Sequence, residues 1–289
     1  MKIIVTGATG FTGSYVVPRL LEQDFEVHCL ARASSDRSVI PGEQVTWITG
    51  DLGDEDALAH AFEGMDALVN IASLGFGHAP GIVRAALDHH IQRGIFLSST
   101  AIFTRVNAPS KAARTAGEMA VSDSPLDYTI LRPTMIYGSA RDRNMSRLIG
   151  FLRRYPLFPM FGSGEHLQQP VYVDDVAAAV VACLQEPNTI RQAYNIAGKA
   201  ALTYNQVIDT IAHTLNRSIF KLHVPAAPVV TTLRLTERLK LRLPIKAEQI
   251  LRLEEDKQFD YGGAARDFGY QPRDFAEGIR LELRAMGLL

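Results

Sequence analysis

Runs of Ile, Val and Leu recur along the first half of the chain, and between them lie helix-length stretches whose apolar residues return at helical spacing. "KIIV" leads into "FTGSYVVPRLLEQ", "EVHCLA" and "VTWIT" into "DEDALAHAFEG", "ALVNIA" into "PGIVRAALDHHIQRG", and "IFLSS" into a further helix and then "YTILR". Unbroken apolar runs suit strands buried on both faces, and parallel strands need crossover connections. The pattern therefore predicts an α/β fold with a doubly wound parallel sheet. After about residue 150 the rhythm loosens. "FLRRYPLFPMFGSGEHLQQP" is rich in Pro and Gly and predicts longer connections. "DDVAAAVVACLQE" and "TYNQVIDTIAHTLN" read as helices, "AYNIAG" and "FKLHV" as strands, and mostly helical sequence follows. The expected organisation is a sheet domain over residues 1–160, rejoined by segments near 170–198, with a smaller interleaved α/β lobe over 161–289.

Composition narrows the functional classes. With 47% hydrophobic and 21% charged residues in 289, the chain is too apolar for disorder. Thirty basic and 31 acidic residues leave a net charge of −1, so no global field draws nucleic acid or an anionic membrane. Cys29 and Cys183 fall in a predicted strand and a predicted helix without metal-ligand spacing, and the eight histidines form no metal cluster. A disulfide is not expected, and a cytoplasmic location is. "KIIVTG" enters a strand without the features of a signal peptide, and no window reaches the roughly 18 apolar residues of a membrane span.

"VTGATGFTG" places Gly7, Gly10 and Gly13 between the first strand and the first helix, with Thr9, Phe11 and Thr12 among them. Gly7 allows the tight turn, Gly10 lets a pyrophosphate approach the backbone, and Gly13 lets helix and strand pack closely. The helix N-terminus then offers amide donors and positive dipole to phosphates. At the end of the second strand, where an NAD site offers an acid to the ribose, "CLARASSDR" has Arg32, followed by Ser34, Ser35 and Arg37. This favours NADP(H), with NAD as the alternative cofactor. Asp51 and Leu52 after the third strand are expected at the adenine. Ala72 in "NIAS", Ser98 in "LSST" and Pro133 in "LRPT" mark further strand ends at the cofactor edge.

"TGATGFTG", "GDL", "NIA", "LSST", "LRPTMIYG", "QPVYVDDVAAAV", "YNIAG" and "ARDFGYQPRDFAEGI" occur in an order that resembles the extended and atypical short-chain dehydrogenase/reductases, the NAD-dependent epimerase/dehydratase group. The resemblance runs over nearly the whole chain. It implies a Rossmann-like domain, a substrate lobe at its C-terminal edge, and a catalytic Ser/Thr, Tyr and Lys. Ser99, with Thr100 beside it, occupies the hydroxyl position.

The family's tyrosine, four residues before its lysine, is missing. If Lys111 is that lysine, Asn107 stands at the tyrosine position. If Glu118 sets the register, the pair becomes Ser110 and Arg114. The loop after Ser99 is short, and Pro109 is expected to begin the next helix, where its missing N–H costs little. Lys111 is a candidate ribose holder or, with a pKa lowered by burial, a general acid. Tyr137, His78 and Gln168 are the candidate substrate contacts, although Tyr137 also fits a packing role. Gln168 replaces the arginine that the resemblance implies for a sugar diphosphate, and Arg141, Arg143 and Arg147 are possible substitutes. Asp174 and Asp175 read as helix-capping acids. "TLRLTERLKLRLP" carries an apolar stripe among basic residues that fits packing on its own lobe, with a partner or membrane surface as the other reading.

The expected function is an NADP(H)-dependent oxidoreductase or epimerase-like enzyme acting on a small polar or carbonyl substrate. Its expected partners are that substrate and, as an open alternative, a second copy in a homodimer. A catalytically silent dinucleotide sensor or assembly partner is the rival reading.

Overall fold

The computed structural model describes residues 1–40, 42, 44–106, 109–238 and 247–289. The first half alternates as the apolar pattern predicts: β1 (Lys2–Thr6), α1 (Gly13–Leu21), β2 (Glu26–Ala31), β3 (Val45–Thr49), α2 (Glu55–Phe62), β4 (Ala67–Asn70), α3 (Ala79–Asp88), β5 (Arg93–Leu97), α4 (Pro109–Ser122) and β6 (Asp127–Pro133). Then come β7 (Ile136–Tyr137), α5 (Met145–Arg154), β8 (Leu157–Phe161), β9 (Leu167–Gln168), β10 (Val171–Tyr172), α6 (Val173–Gln185) and β11 (Gln192–Ile196). The remainder is β12 (Leu202–Thr203), α7 (Tyr204–Thr214), β13 (Phe220–Val224), α8 (Ala226–Arg238), α9 (Ala247–Leu253), α10 (Gly262–Phe268) and α11 (Phe275–Ala285).

Seven strands form one parallel sheet in the order β11-β6-β5-β4-β1-β2-β3. The order reverses beside β1, and such switch points leave a ligand crevice at the strands' carboxyl ends. Side chains alternate across the sheet. Ile3 and Val5 pack with Val16, Val17 and Leu20 of α1 and Val176 and Val180 of α6, whereas Ile4 faces Leu58, Phe62, Ile82 and Val121 of α2, α3 and α4. Each such fully buried aliphatic side chain contributes about 1.5–3 kcal/mol.

β11, from "AYNIAG", pairs with β6 through Tyr194–Leu131 and returns the chain to the main sheet. At the head of β5, Arg93 is partly buried, and desolvation lowers its pKa. Its guanidinium is nevertheless satisfied by the Asp127 and Cys183 carbonyls and the Thr129 and Thr189 hydroxyls, joining β5, β6 and α6. Cys29 and Cys183 are both free and buried, and burial raises each thiol pKa to about 12.

The lobe has its own core from Met145, Ile149, Val207, Ile211, Phe275, Ile279 and Leu283. The Pro-rich stretch is more ordered than its composition suggests. It contains α5 and β8, and β8 pairs with β13 in a two-stranded sheet whose edge accommodates Pro159. Val230 and Leu233 of α8 pack with Ile250 of α9, so part of the apolar stripe is covered within the lobe. Among the described residues, no helix is long and apolar enough to cross a membrane.

Candidate active site

The first turn has the backbone that its glycines require. Gly7 has φ +74°, and a Cβ there would lie 2.7 Å from the Ala72 nitrogen. A Cβ on Gly13 would lie 2.3 Å from the Gly7 oxygen and 2.4 Å from the Ala8 oxygen, so α1 starts as close to β1 as backbone atoms allow. The turn opens onto a cleft of about 740 Å³ lined by Gly7, Thr9, Gly10, Phe11 and Thr12. This cradle, at a helix N-terminus and free of side-chain bulk at Gly7 and Gly10, fits a dinucleotide pyrophosphate.

Arg32, Ser35, Asp51, Leu52 and Ala72 also line this cleft. Arg32 is exposed at the end of β2, where its guanidinium has room to meet a ligand. Ser34 lies outside the lining, and Arg37 is engaged elsewhere: it donates to Thr49 Oγ1 and sits 5.3 Å from the centre of the Trp47 ring. Asp51 Oδ1 accepts from the Gly53 amide at 2.9 Å, which fixes the carboxylate at the cleft floor. His78 belongs to this nucleotide cleft, near Gly53, and not to the substrate chamber expected from its loop position.

Thr9, Gly10, Phe11, Thr12 and Arg143 line a second cavity as well, of about 1350 Å³. Nucleotide cleft and chamber thus adjoin and share these five residues. Ser99, Thr100, Thr134, Arg141 and Gln168 lie in the chamber wall. Ser99 Oγ accepts from the Ala101 amide at 3.2 Å, while Thr100 Oγ1 donates to the Pro133 carbonyl at 3.3 Å. Pro133 and Ser98 stand behind this wall, and the Ser98 hydroxyl is buried without a partner among the described residues. Arg141 donates to the Thr9 carbonyl at 2.8 Å, bracing the glycine turn from the lobe.

Lys111 and Tyr137 lie outside the lining of both cavities. Lys111 lines neither cavity, because its ammonium donates to the Thr104 carbonyl at 2.6 Å and so secures the loop before α4. Tyr137 is 1% exposed and packs edge-on to Tyr172 and Phe275, with its hydroxyl 3.5 Å from the Phe275 carbonyl. Burial raises its pKa, so it is a core residue, not a chamber residue. Asn107 lies outside the described residues. In the other register, Arg114 leans on the Leu74–Phe76 turn next to Gly75, and Glu118 forms a bidentate pair with Arg132. Burial, together with the nearby Arg252 charge, lowers the Arg114 pKa. The Asp174 and Asp175 carboxylates do not cap α6. They engage Arg19 and Arg273 and tie α6 to α1 and the C-terminal segment.

A segment that sequence reading passed over lines the chamber. Residues 255–259 run between the loop after β5 and the lobe. Glu255 accepts from Thr104 Oγ1 at 2.6 Å and from the Arg105 and Val106 amides at 2.7 and 3.2 Å. Asp256 accepts from the Leu167 amide, and the Phe259 ring lies 5.8 Å from that of Phe103. Between them, the Lys257 ammonium donates to Gln168 Oε1 at 3.2 Å. Burial, aided by the Arg252 charge and opposed by Glu255, lowers the Lys257 pKa to about 8. In "LEEDKQFD" this lysine sits among acids and reads as surface, and its burial comes from contacts distant in sequence.

Beside the chamber, Asp142 Oδ1 accepts from the Asn144 and Ser146 amides and shapes the start of α5. Its other oxygen and both oxygens of fully buried Glu282 have no donor among the described residues. Burial and the adjacent Asp142 carboxylate push Glu282 up to about 10, and a proton on Glu282 supplies the missing donor.

The family model for NAD(P)H-binding proteins matches residues 7–187. The chain is 26% identical to subunit 9 of the NADH dehydrogenase [ubiquinone] 1 alpha subcomplex of Arabidopsis thaliana, covering 87% of this chain and 67% of that mitochondrial protein. It is 25% identical to 2-alkyl-3-oxoalkanoate reductase of Stenotrophomonas maltophilia, covering 97% of this chain and 98% of that one. The fold resembles UDP-glucose 4-epimerase of Thermotoga maritima with a TM-score of 0.77 at 18% identity, over 99% and 98% of the two chains. With its parallel sheet and glycine turn, this chain belongs to the NAD(P)H-binding family of extended short-chain dehydrogenase/reductases.

Proposed function

We propose that this protein is an NADP(H)-dependent oxidoreductase that reduces a small carbonyl substrate. The observation that carries the reading is that the glycine-turn cleft adjoins the Ser99-lined chamber, with Thr9, Gly10, Phe11, Thr12 and Arg143 lining both. The relative named as a 2-alkyl-3-oxoalkanoate reductase supports the carbonyl class, because it aligns over almost the full length of both chains.

Gly7 and Gly10 would admit the pyrophosphate, Asp51 and Leu52 the adenine, and Arg32 with Ser35 the 2′-phosphate. When bound, the nicotinamide supplies hydride. The chain's own residues supply the rest. Ser99, held in extended backbone at the end of β5, presents its hydroxyl to orient the substrate oxygen. The Phe103 and Phe259 rings, in contact with each other, give one side of the chamber an apolar wall. Gln168 and Arg143 offer an amide and a cation to the substrate's polar end.

A size-able chamber beside Ser99 suits an enzyme better than the silent-sensor reading, which calls for a filled cleft. Calorimetric titration with NADPH and NADH tests the cofactor assignment. NADPH should bind at least 10-fold more tightly, about 1.4 kcal/mol, and Arg32→Ala should abolish that preference. Tighter binding of NADH by the wild type overturns it.

A further inference from the structure

We propose that Lys257 is the proton donor to the substrate oxygen, taking the place of the absent tyrosine. This rests on the oxidoreductase reading above. Among the described residues, the chamber wall contains no tyrosine, one lysine (Lys257) and one histidine (His166). His166 is engaged with Asp256 at 3.3 Å and is partly exposed. Lys111 is turned to the Thr104 carbonyl. That leaves Lys257, whose segment is tied to Thr104 on one side and Gln169 on the other and whose ammonium donates to the neutral Gln168 amide.

A lysine used as an acid near neutral pH must be less basic than one in water, and burial without a carboxylate partner achieves this. The charged groups around Lys257 are Arg252 at the end of α9, Glu254, Glu255 and Asp256 in its own segment, and His166 across the chamber. Glu254 is exposed beside Gly162, and the other two carboxylates are committed elsewhere. Glu255 is occupied by Thr104, Arg105 and Val106, and Asp256 by Leu167 and His166. Arg252 pushes the ammonium toward its neutral form, and the resulting pKa of about 8 leaves most Lys257 protonated at neutral pH.

The step balances. As hydride from the reduced dinucleotide adds to the carbonyl carbon, the Lys257 N–H bond breaks and an O–H bond forms on the former carbonyl oxygen. The products are an alcohol, the oxidised dinucleotide and a neutral amine, which regains its proton from water at the chamber mouth. Gln168 is a positioning residue, since its Oε1 aims the ammonium.

The test combines residue-resolved labelling with turnover. Intact protein is labelled with acetic anhydride across pH and Lys257 is followed by peptide mass spectrometry. Its labelling midpoint should lie near 8, and Gln168→Glu should move it upward by placing a carboxylate beside it. An ordinary lysine midpoint overturns the proposal. NADPH consumption is then followed over a panel of 3-oxo acids and simple ketones, with NADPH affinity measured separately. Lys257→Met should lose at least 100-fold in kcat with unchanged NADPH affinity and thermal midpoint. Lys257→Arg, which keeps the charge, should stay equally slow, and the wild-type rate should fall as pH rises through about 8. Wild-type rates and an unchanged pH profile in Lys257→Met overturn the lysine's role alone. A wild-type chain that binds NADPH yet consumes none overturns the oxidoreductase reading and the donor role together.

Discussion

Thr104 Oγ1 donates to Glu255 Oε2 at 2.6 Å, joining residues 151 positions apart in the chamber wall and tying the β5 loop to the C-terminal part of the chain. The same carboxylate holds the Arg105 and Val106 amides. Burial pushes the Glu255 pKa up, but these three donors outweigh it and hold the group below its ordinary value. Its contribution to stability is therefore present above the unfolded-state pKa and is lost as pH falls through the depressed folded value. Glu255→Ala should cost about 1–3 kcal/mol, because it strands donors at a partly buried site. Hydrogen exchange at Arg105 and Val106 should accelerate, and unchanged protection there would show that the latch does not hold the loop.

Glu282 gives the opposite pH dependence. Its pKa rises from 4.5 to about 10 on folding, so its contribution is fully present below the unfolded value and declines as pH rises toward 10. Glu282→Gln supplies a permanent donor opposite Asp142 without the ionisation. Its thermal midpoint at pH 8 should exceed that of the wild type, and the gap should widen as pH rises from mild acid toward 8. The two midpoints should converge in mild acid. A lower midpoint for the variant at both pH values contradicts the protonated-pair account.

Gly13→Ala and Gly150→Ala form a matched pair. At Gly13 the new methyl meets two backbone oxygens, whereas at Gly150, on the exposed face of α5, nothing lies within 4 Å. Gly13→Ala should destabilise by roughly 1–3 kcal/mol and weaken NADPH at least 10-fold. Gly150→Ala should stabilise by about 0.5–1 kcal/mol with no effect on NADPH. Denaturant unfolding and calorimetry read both outcomes, and equal effects at the two sites would remove the packing argument for the glycine turn.

The parts of the molecule written into short stretches were legible in sequence. Gly7, Gly10 and Gly13 lie within seven residues, and their geometry follows from the strand and helix on either side. The alternating apolar runs likewise specified the sheet through β6 and the return of "AYNIAG". What failed was direction. Tyr137 follows a strand end near the cofactor edge, but its ring turns inward because Tyr172 and Phe275 receive it. Lys111 occupies the expected helix, yet the shortened loop offers the Thr104 carbonyl within its reach. Lys257 acquires its environment from Gln168 and from neighbours that bind its segment at a distance, Thr104 through Glu255 and Phe103 through Phe259, contacts that no local periodicity encodes.

The central claim is that this chain transfers hydride from NADPH to a carbonyl in the chamber beside Ser99. Nicotinamide absorbance, followed after mixing purified protein and NADPH with a 3-oxo acid panel, tests it most directly. The account predicts substrate-dependent loss of NADPH with an equimolar gain of the hydroxy product, suppressed at least 10-fold by Ser99→Ala. NADPH that binds and remains unconsumed across the panel, or turnover unaffected by Ser99→Ala, would contradict it.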